Sequence, residues 1–177
     1  MSLMDEERMR ELVQGSWAMV TPMLARVPAI FYPRFWDMDP RTKPLFAGKA
    51  VREQGEKLTA MLETMVNGLS DLEQLKPLIK SLAKRHAHFG VVEDMFPHLG
   101  AALNETLQQL LEEKFTAEVE EAWTKMYAMI SLLMISTLRD ELKSIKRKAE
   151  RKAAQKAAVA ANSGGDGFFA SLRLCRG

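Results

Sequence analysis

Leu75, Leu78, Ile79 and Leu82 recur at intervals of three and four residues, the spacing that puts side chains on one face of a helix. The same interval returns through most of the chain. Leu12, Trp17, Val20 and Leu24 carry it near the N-terminus, Leu58, Met61, Leu62, Met65 and Val66 further on, then Phe96, Leu99, Leu103, Leu107 and Leu110, and finally Ala122, Trp123, Met126, Ile130, Leu133 and Met134. No window sustains the period-two alternation of a half-buried strand. The chain is therefore predicted to be all-α, with six or seven helices, short connections and no internal repeat.

One polar residue sits on such a face. His86 lies four residues beyond Leu82, and Gly90 follows where a helix would be capped. A histidine there is more often a satisfied core residue than a ligand, although neutral imidazole is also the commonest metal ligand. Periodicity leaves both readings open.

Boundaries follow from caps and prolines. A first helix is expected over residues 5–26, ended or kinked at Thr21-Pro22. Residues 27–37 are strongly apolar and helical, with Pro28 suiting a helix start. Pro33 falls inside that helix and removes a hydrogen bond at a cost of about 3 kcal/mol, which predicts a kink or break near residues 29–33. Asp39-Pro40-Arg41-Thr42-Lys43-Pro44 reads as a turn-rich connection. Helices are then expected over 51–68, ending at Asn67-Gly68, from a cap at Ser70 or Asp71, over 94–113, and from Thr116 with Glu118 and Glu120 in the first turn.

Charge divides the chain. Residues 139–177 hold ten Lys/Arg and four Asp/Glu, a net of +6, so a total of +2 leaves the body at −4. The expected organisation is a folded body over 1–138, a basic, alanine-rich helical extension over 139–161 and a disordered tail over 162–177. The stripe Leu142, Ile145, Ala149, Ala153 in the extension is weak. The extension reads as a solvated helix, with contact to an acidic partner, nucleic acid or an anionic membrane surface as the functional alternative.

A composition of 47% hydrophobic and 27% charged residues is that of a globular chain. No apolar run approaches the length of a membrane span, and the N-terminus is acidic where a signal peptide would be basic. Cys175 is the single cysteine, so no internal disulfide forms, and the expected compartment is cytoplasmic. Cys-x-x-Cys, Gly-x-Gly-x-x-Gly and phosphate-binding loops are absent. A single cysteine in such a tail is a poor nucleophile.

Several residues together resemble a known family. Ile30-Phe31-Tyr32, Pro44-Leu45-Phe46, Gln54 followed by Lys57-Leu58, Arg85-His86, Gly90-Val91, and Ala122-Trp123 with Tyr127 stand in the order and spacing of globins of the bacterial haemoglobin and flavohaemoglobin type. The resemblance spans about residues 8–138. It implies a globin fold around a haem pocket, with His86 as the proximal axial ligand of the iron. It implies that Phe46 stacks on the porphyrin edge, that Gln54 and Leu58 line the distal pocket, and that Tyr32 approaches from the neighbouring helix. Tyr32 and Gln54 would then donate hydrogen bonds to bound dioxygen. Lys57 would reach a haem propionate, and Val91 and Phe96 would pack on the proximal side. Cys-x-x-Cys-His is absent, so the implied cofactor is non-covalent haem b. Met61 and Met65 are further candidates for haem contact. His88 and His98 are expected at the surface. A core role for Tyr32 and a solvent-facing Gln54 remain the structural alternatives, and Phe46 is core under either reading.

The chain also departs from the flavohaemoglobin pattern. A proximal Tyr and Glu there form a network with the axial histidine that raises its basicity. Here the matching positions are Phe96 and the neighbourhood of Leu138, which argues against a peroxidase-like or fast nitric oxide dioxygenase role. Nothing resembling a flavin or nicotinamide reductase domain follows, so a complete flavohaemoglobin is not expected. The leading expectation is a globin that binds dioxygen reversibly, with carbon monoxide and nitric oxide as further ligands. The alternatives are a haem sensor module coupled through the helix beyond residue 139, and a nitric oxide dioxygenase served by a separate reductase.

Overall fold

The computed structural model describes residues 4–163. They form six α-helices: α1 (Glu6–Val20), α2 (Arg26–Met38), α3 (Val51–Asn67), α4 (Leu72–His88), α5 (Phe96–Leu111) and α6 (Ala117–Ser163). Short 3₁₀ turns join or follow them, and there is no strand among the described residues.

The Asp5 carboxylate caps α1 by accepting from the backbone N–H of Arg8 at 2.7 Å. The helix stops at Val20, short of residue 26 but at the expected Thr21-Pro22 step, and continues as a 3₁₀ turn over Thr21–Met23. Pro22 has no N–H for the next α-helical bond.

Of the kink or break expected near residues 29–33, a break does not occur: α2 runs without interruption from Arg26 to Met38 with Pro33 inside it. Pro33 lies on the exposed side, and the carbonyl it deprives belongs to Ala29, which is also exposed. Water can satisfy that oxygen. The opposite face buries Val27, Phe31, Tyr32 and Phe35, packed against α3 and α5. This burial offsets the proline.

Two close approaches set the helix spacing. A Cβ on Gly55 of α3 would stand 2.6 Å from the Pro28 ring of α2, so only glycine lets these helices approach this closely. A Cβ on Gly100 of α5 would stand 2.6 Å from the Tyr127 ring of α6. Tyr127 in turn donates its hydroxyl to the Phe96 carbonyl at 2.6 Å. Trp123, fully buried on α6, donates Nε1–H to Ser16 Oγ on α1 at 2.9 Å.

Asp71, one of the two expected caps, opens α4 by accepting from the N–H of Gln74. Leu75, Ile79, Ala83 and Ala87 form its buried stripe. Leu78, Leu82 and His86 run beside them as a second, half-buried stripe. The helix closes with Gly90 at φ +85°. The Gly90 N–H donates to the Ala87 carbonyl at 3.2 Å and the Val91 N–H to the His86 carbonyl at 3.1 Å, the bond pair of a Schellman cap. The carbonyl of His86 is thereby tied into the helix terminus.

Chain contacts divide between Arg139 and Asp140, inside α6. Before the division α6 buries Ala122, Trp123, Met126, Ile130, Met134 and Leu138. Beyond it Leu142 and Ile145 are half-buried and residues 146–160 are exposed. α6 reaches Ser163; from residue 164 onward, the disorder expected for 162–177 lies outside the described residues. No helix among the described residues is long and apolar enough to cross a membrane.

Candidate functional site

A cavity of about 280 Å³ opens between α2, α3, α4, α5, α6 and the turn over Pro40–Phe46. Tyr32, Phe46, Gln54, Lys57, Leu58, His86, Val91 and Phe96, the residues singled out in the sequence, all line it. Met61 and Met65 line it as well, and so do Met95, Met126 and Met134. No Asp or Glu is among the lining residues. The chamber is apolar, with a few polar groups brought in from separate helices, the usual form of a cofactor pocket.

His86 Nδ1 lies 2.8 Å from the Leu82 carbonyl oxygen, one turn earlier on α4. A carbonyl only accepts, so Nδ1 carries the proton and Nε2, at the other edge of the ring, keeps its lone pair. Burial pushes the imidazole pKa below its usual value. The bond to Leu82 opposes that shift, and the positive charges of Arg85 and Lys49 add to it. Burial and both charges favour a neutral His86, with Nε2 as the nitrogen left to ligate a metal.

Tyr32 is buried on α2 within a ring cluster. Its ring stacks on Trp36 with centroids 5.5 Å apart and meets Phe46 edge-on at 5.2 Å. Burial pushes its phenol up to about 12, so it stays protonated and able to donate. Gln54 is half-buried one turn before the half-buried Leu58 on α3, and Lys57 is exposed at the rim. Phe96 is buried and Val91 half-buried.

Phe96, at the position expected to match the proximal phenol, and Leu138, near the one expected to match the carboxylate, are both buried. His98 lies outside the cavity, with Nδ1 at 3.4 Å from the buried Asp39 carboxylate. His88 is exposed.

Tyr127, one of the residues that carry the resemblance, lines the cavity as well, and so do Lys49, Phe89 and Ser131, which had not stood out in the sequence. Lys49 and Phe89 belong to turns that carry no periodicity. Tyr127 and Ser131 lie one turn apart on α6, a spacing that gives them a common face but not its direction.

The donor set fits a haem. A neutral imidazole with a free Nε2 stands in an apolar chamber, with cations at the rim and no carboxylate in the lining. The family model for globins matches residues 29–134. A neuroglobin of the fish Dissostichus mawsoni is 24% identical over 141 residues, covering 72% of this chain and 89% of that protein. A flavohemoprotein of Vibrio cholerae is 28% identical over 108 residues, covering 59% of this chain and 27% of that protein. Among solved structures, an engineered carbene transferase from Rhodothermus marinus superposes with a TM-score of 0.72 at 20% identity, covering 79% of this chain and 97% of that one. The chain belongs to the globin family, all-α and haem-binding.

Proposed function

We propose that this globin holds haem b non-covalently and binds dioxygen reversibly, as a carrier or store. The observation that carries the reading is the hydrogen bond from His86 Nδ1 to Leu82 at 2.8 Å, in a cavity lined by no carboxylate. A haem held there supplies an iron with a coordination position open to diatomic ligands.

The chain's own residues then divide the work. His86 would hold the iron through Nε2, and the Schellman cap at Gly90 fixes its backbone. Phe46, Val91 and Phe96 would pack on the macrocycle, and Leu58 would keep water from the pocket. Tyr32 Oη–H and the Gln54 amide are donors for a ligand that gains negative character on binding. Lys57 at the rim would pair with a propionate.

A backbone carbonyl is a weaker acceptor than a carboxylate, so His86 gains little added basicity. Phe96 and Leu138 supply neither a phenol nor an acid. This favours reversible binding of dioxygen, carbon monoxide or nitric oxide over peroxide chemistry. Nitric oxide dioxygenation would also require electrons from a separate reductase. The 47-residue length of α6 supports a second reading, a haem sensor that signals through its C-terminal helix. The basic residues from Lys143 to Lys156 suit an acidic partner or surface there. The single cysteine suits a reducing, cytoplasmic setting.

Absorption spectra of the ferric, ferrous and oxygenated protein test the proposal. Stable oxygenated spectra that revert when oxygen is removed support a carrier. Rapid oxidation to the ferric form on every exposure to oxygen counts against it.

A further inference from the structure

Lys49 lies in the turn between Phe46 and α3, and Phe89 directly follows α4. The Lys49 ammonium stands 4.1 Å from the centroid of the Phe89 ring and donates to the Leu45 carbonyl at 3.1 Å. Both side chains line the cavity. Phe89 is 55% exposed, so its ring is at the mouth and not in the core. A second contact joins the same two segments, since a Cβ on Gly90 would lie 3.8 Å from Leu45 Cδ2. The turn that carries Phe46 is thus fastened to the helix end that carries His86. A large exposed aromatic ring has no packing reason to stay over a cavity mouth, and the ammonium gives it one.

We propose that Lys49 and Phe89 form a clasp across the mouth of the pocket and that this clasp sets how long the haem is retained. The inference rests on the haem reading above. The ammonium has three donors and spends one on Leu45. Another faces the Phe89 ring, which leaves one for a carboxylate arm of the cofactor leaving or entering at this edge. Lys57 is the other lysine lining the cavity, and it makes no such bridge to α4. Lys49 is therefore a positioning residue that acts through Phe89 and the turn it anchors.

The clasp is tested by haem transfer from the ferric holoprotein to an excess of an apoglobin scavenger, followed at the Soret band. Lys49→Met and Phe89→Leu should each speed haem loss about tenfold, the scale of one partly desolvated cation–π contact. The double variant should be no faster than the faster single one, because both remove the same contact. Lys49→Arg, which also stacks on an aromatic face, should keep the slow rate. Both side chains lie at the surface of the mouth, and unchanged melting of the apoproteins separates retention from folding. Wild-type rates in both single variants, or multiplicative effects in the double, would overturn the clasp. A wild-type protein that takes up no haem would instead sink the haem reading before any rate is measured.

Discussion

The rings of Tyr32 and Trp36 stack one turn apart on α2, with centroids 5.5 Å apart and planes 27° from parallel. Trp36 and Phe46 hold the Tyr32 ring from two sides, while no hydrogen bond ties its hydroxyl to another described residue. The phenol is fixed in direction and still free to donate.

Tyr32→Phe should therefore leave apoprotein stability almost unchanged and speed dioxygen release. One hydrogen bond lost from a desolvated pocket is worth about 1–3 kcal/mol, or roughly one to two orders of magnitude in rate. Carbon monoxide is less polar when bound, so its release should change far less. Flash photolysis and stopped-flow displacement measure both. Equal acceleration of the two ligands would show that the hydroxyl acts by shape and not by donation.

Gly55→Ala should loosen α3 from α2. The added methyl would stand 2.6 Å from a rigid proline ring, and such overpacking costs about 1–3 kcal/mol. Gln54 precedes Gly55 directly, so dioxygen release should quicken as the melting temperature falls. Calorimetry with the same kinetic assay checks whether the two effects appear together.

Gly90→Ala should destabilise the end of α4. At φ +85° a Cβ costs about 1–2 kcal/mol, and the strain falls on the cap that holds the His86 carbonyl. Haem affinity should drop along with stability. Affinity equal to wild type would mean the cap does not position the histidine.

Acid should destabilise the apoprotein through His86. Its folded pKa lies below its ordinary value, so the unfolded chain binds the proton first as pH falls. Stability is then full above about pH 6.5 and declines as pH drops below that value toward the folded pKa. Melting at pH 7.5 and 5.5 should show this loss in wild type and a smaller one in His86→Leu.

The helices were legible because burial imposes a 3.6-residue period, and α5 and α6 show it over several turns. That Pro33 does not break α2 was not legible, because its local penalty is visible in sequence, whereas the packing of α2 on α3 and α5 that outweighs it is not. The candidate site was legible through residues whose types and order resemble a family, such as Tyr32, Gln54 and His86. Lys49 escaped because its role depends on a turn meeting the end of α4, forty residues away in sequence. The absence of carboxylates around His86 is likewise a property of the assembled cavity.

All residues lining the cavity precede Asp140. A chain ending at residue 140 should keep its haem, its spectra and its oxygen kinetics. A large loss of haem affinity on truncation would show that the basic helical extension supports the pocket.

The central claim is that His86 ligates the haem iron through Nε2, and resonance Raman spectroscopy of the ferrous deoxy protein addresses it most directly. An iron–histidine stretching band should be present in wild type, absent in His86→Gly, and replaced by an iron–imidazole band when imidazole is added to that variant. A wild-type band that persists in His86→Gly without imidazole would place the ligand on another residue and contradict the account.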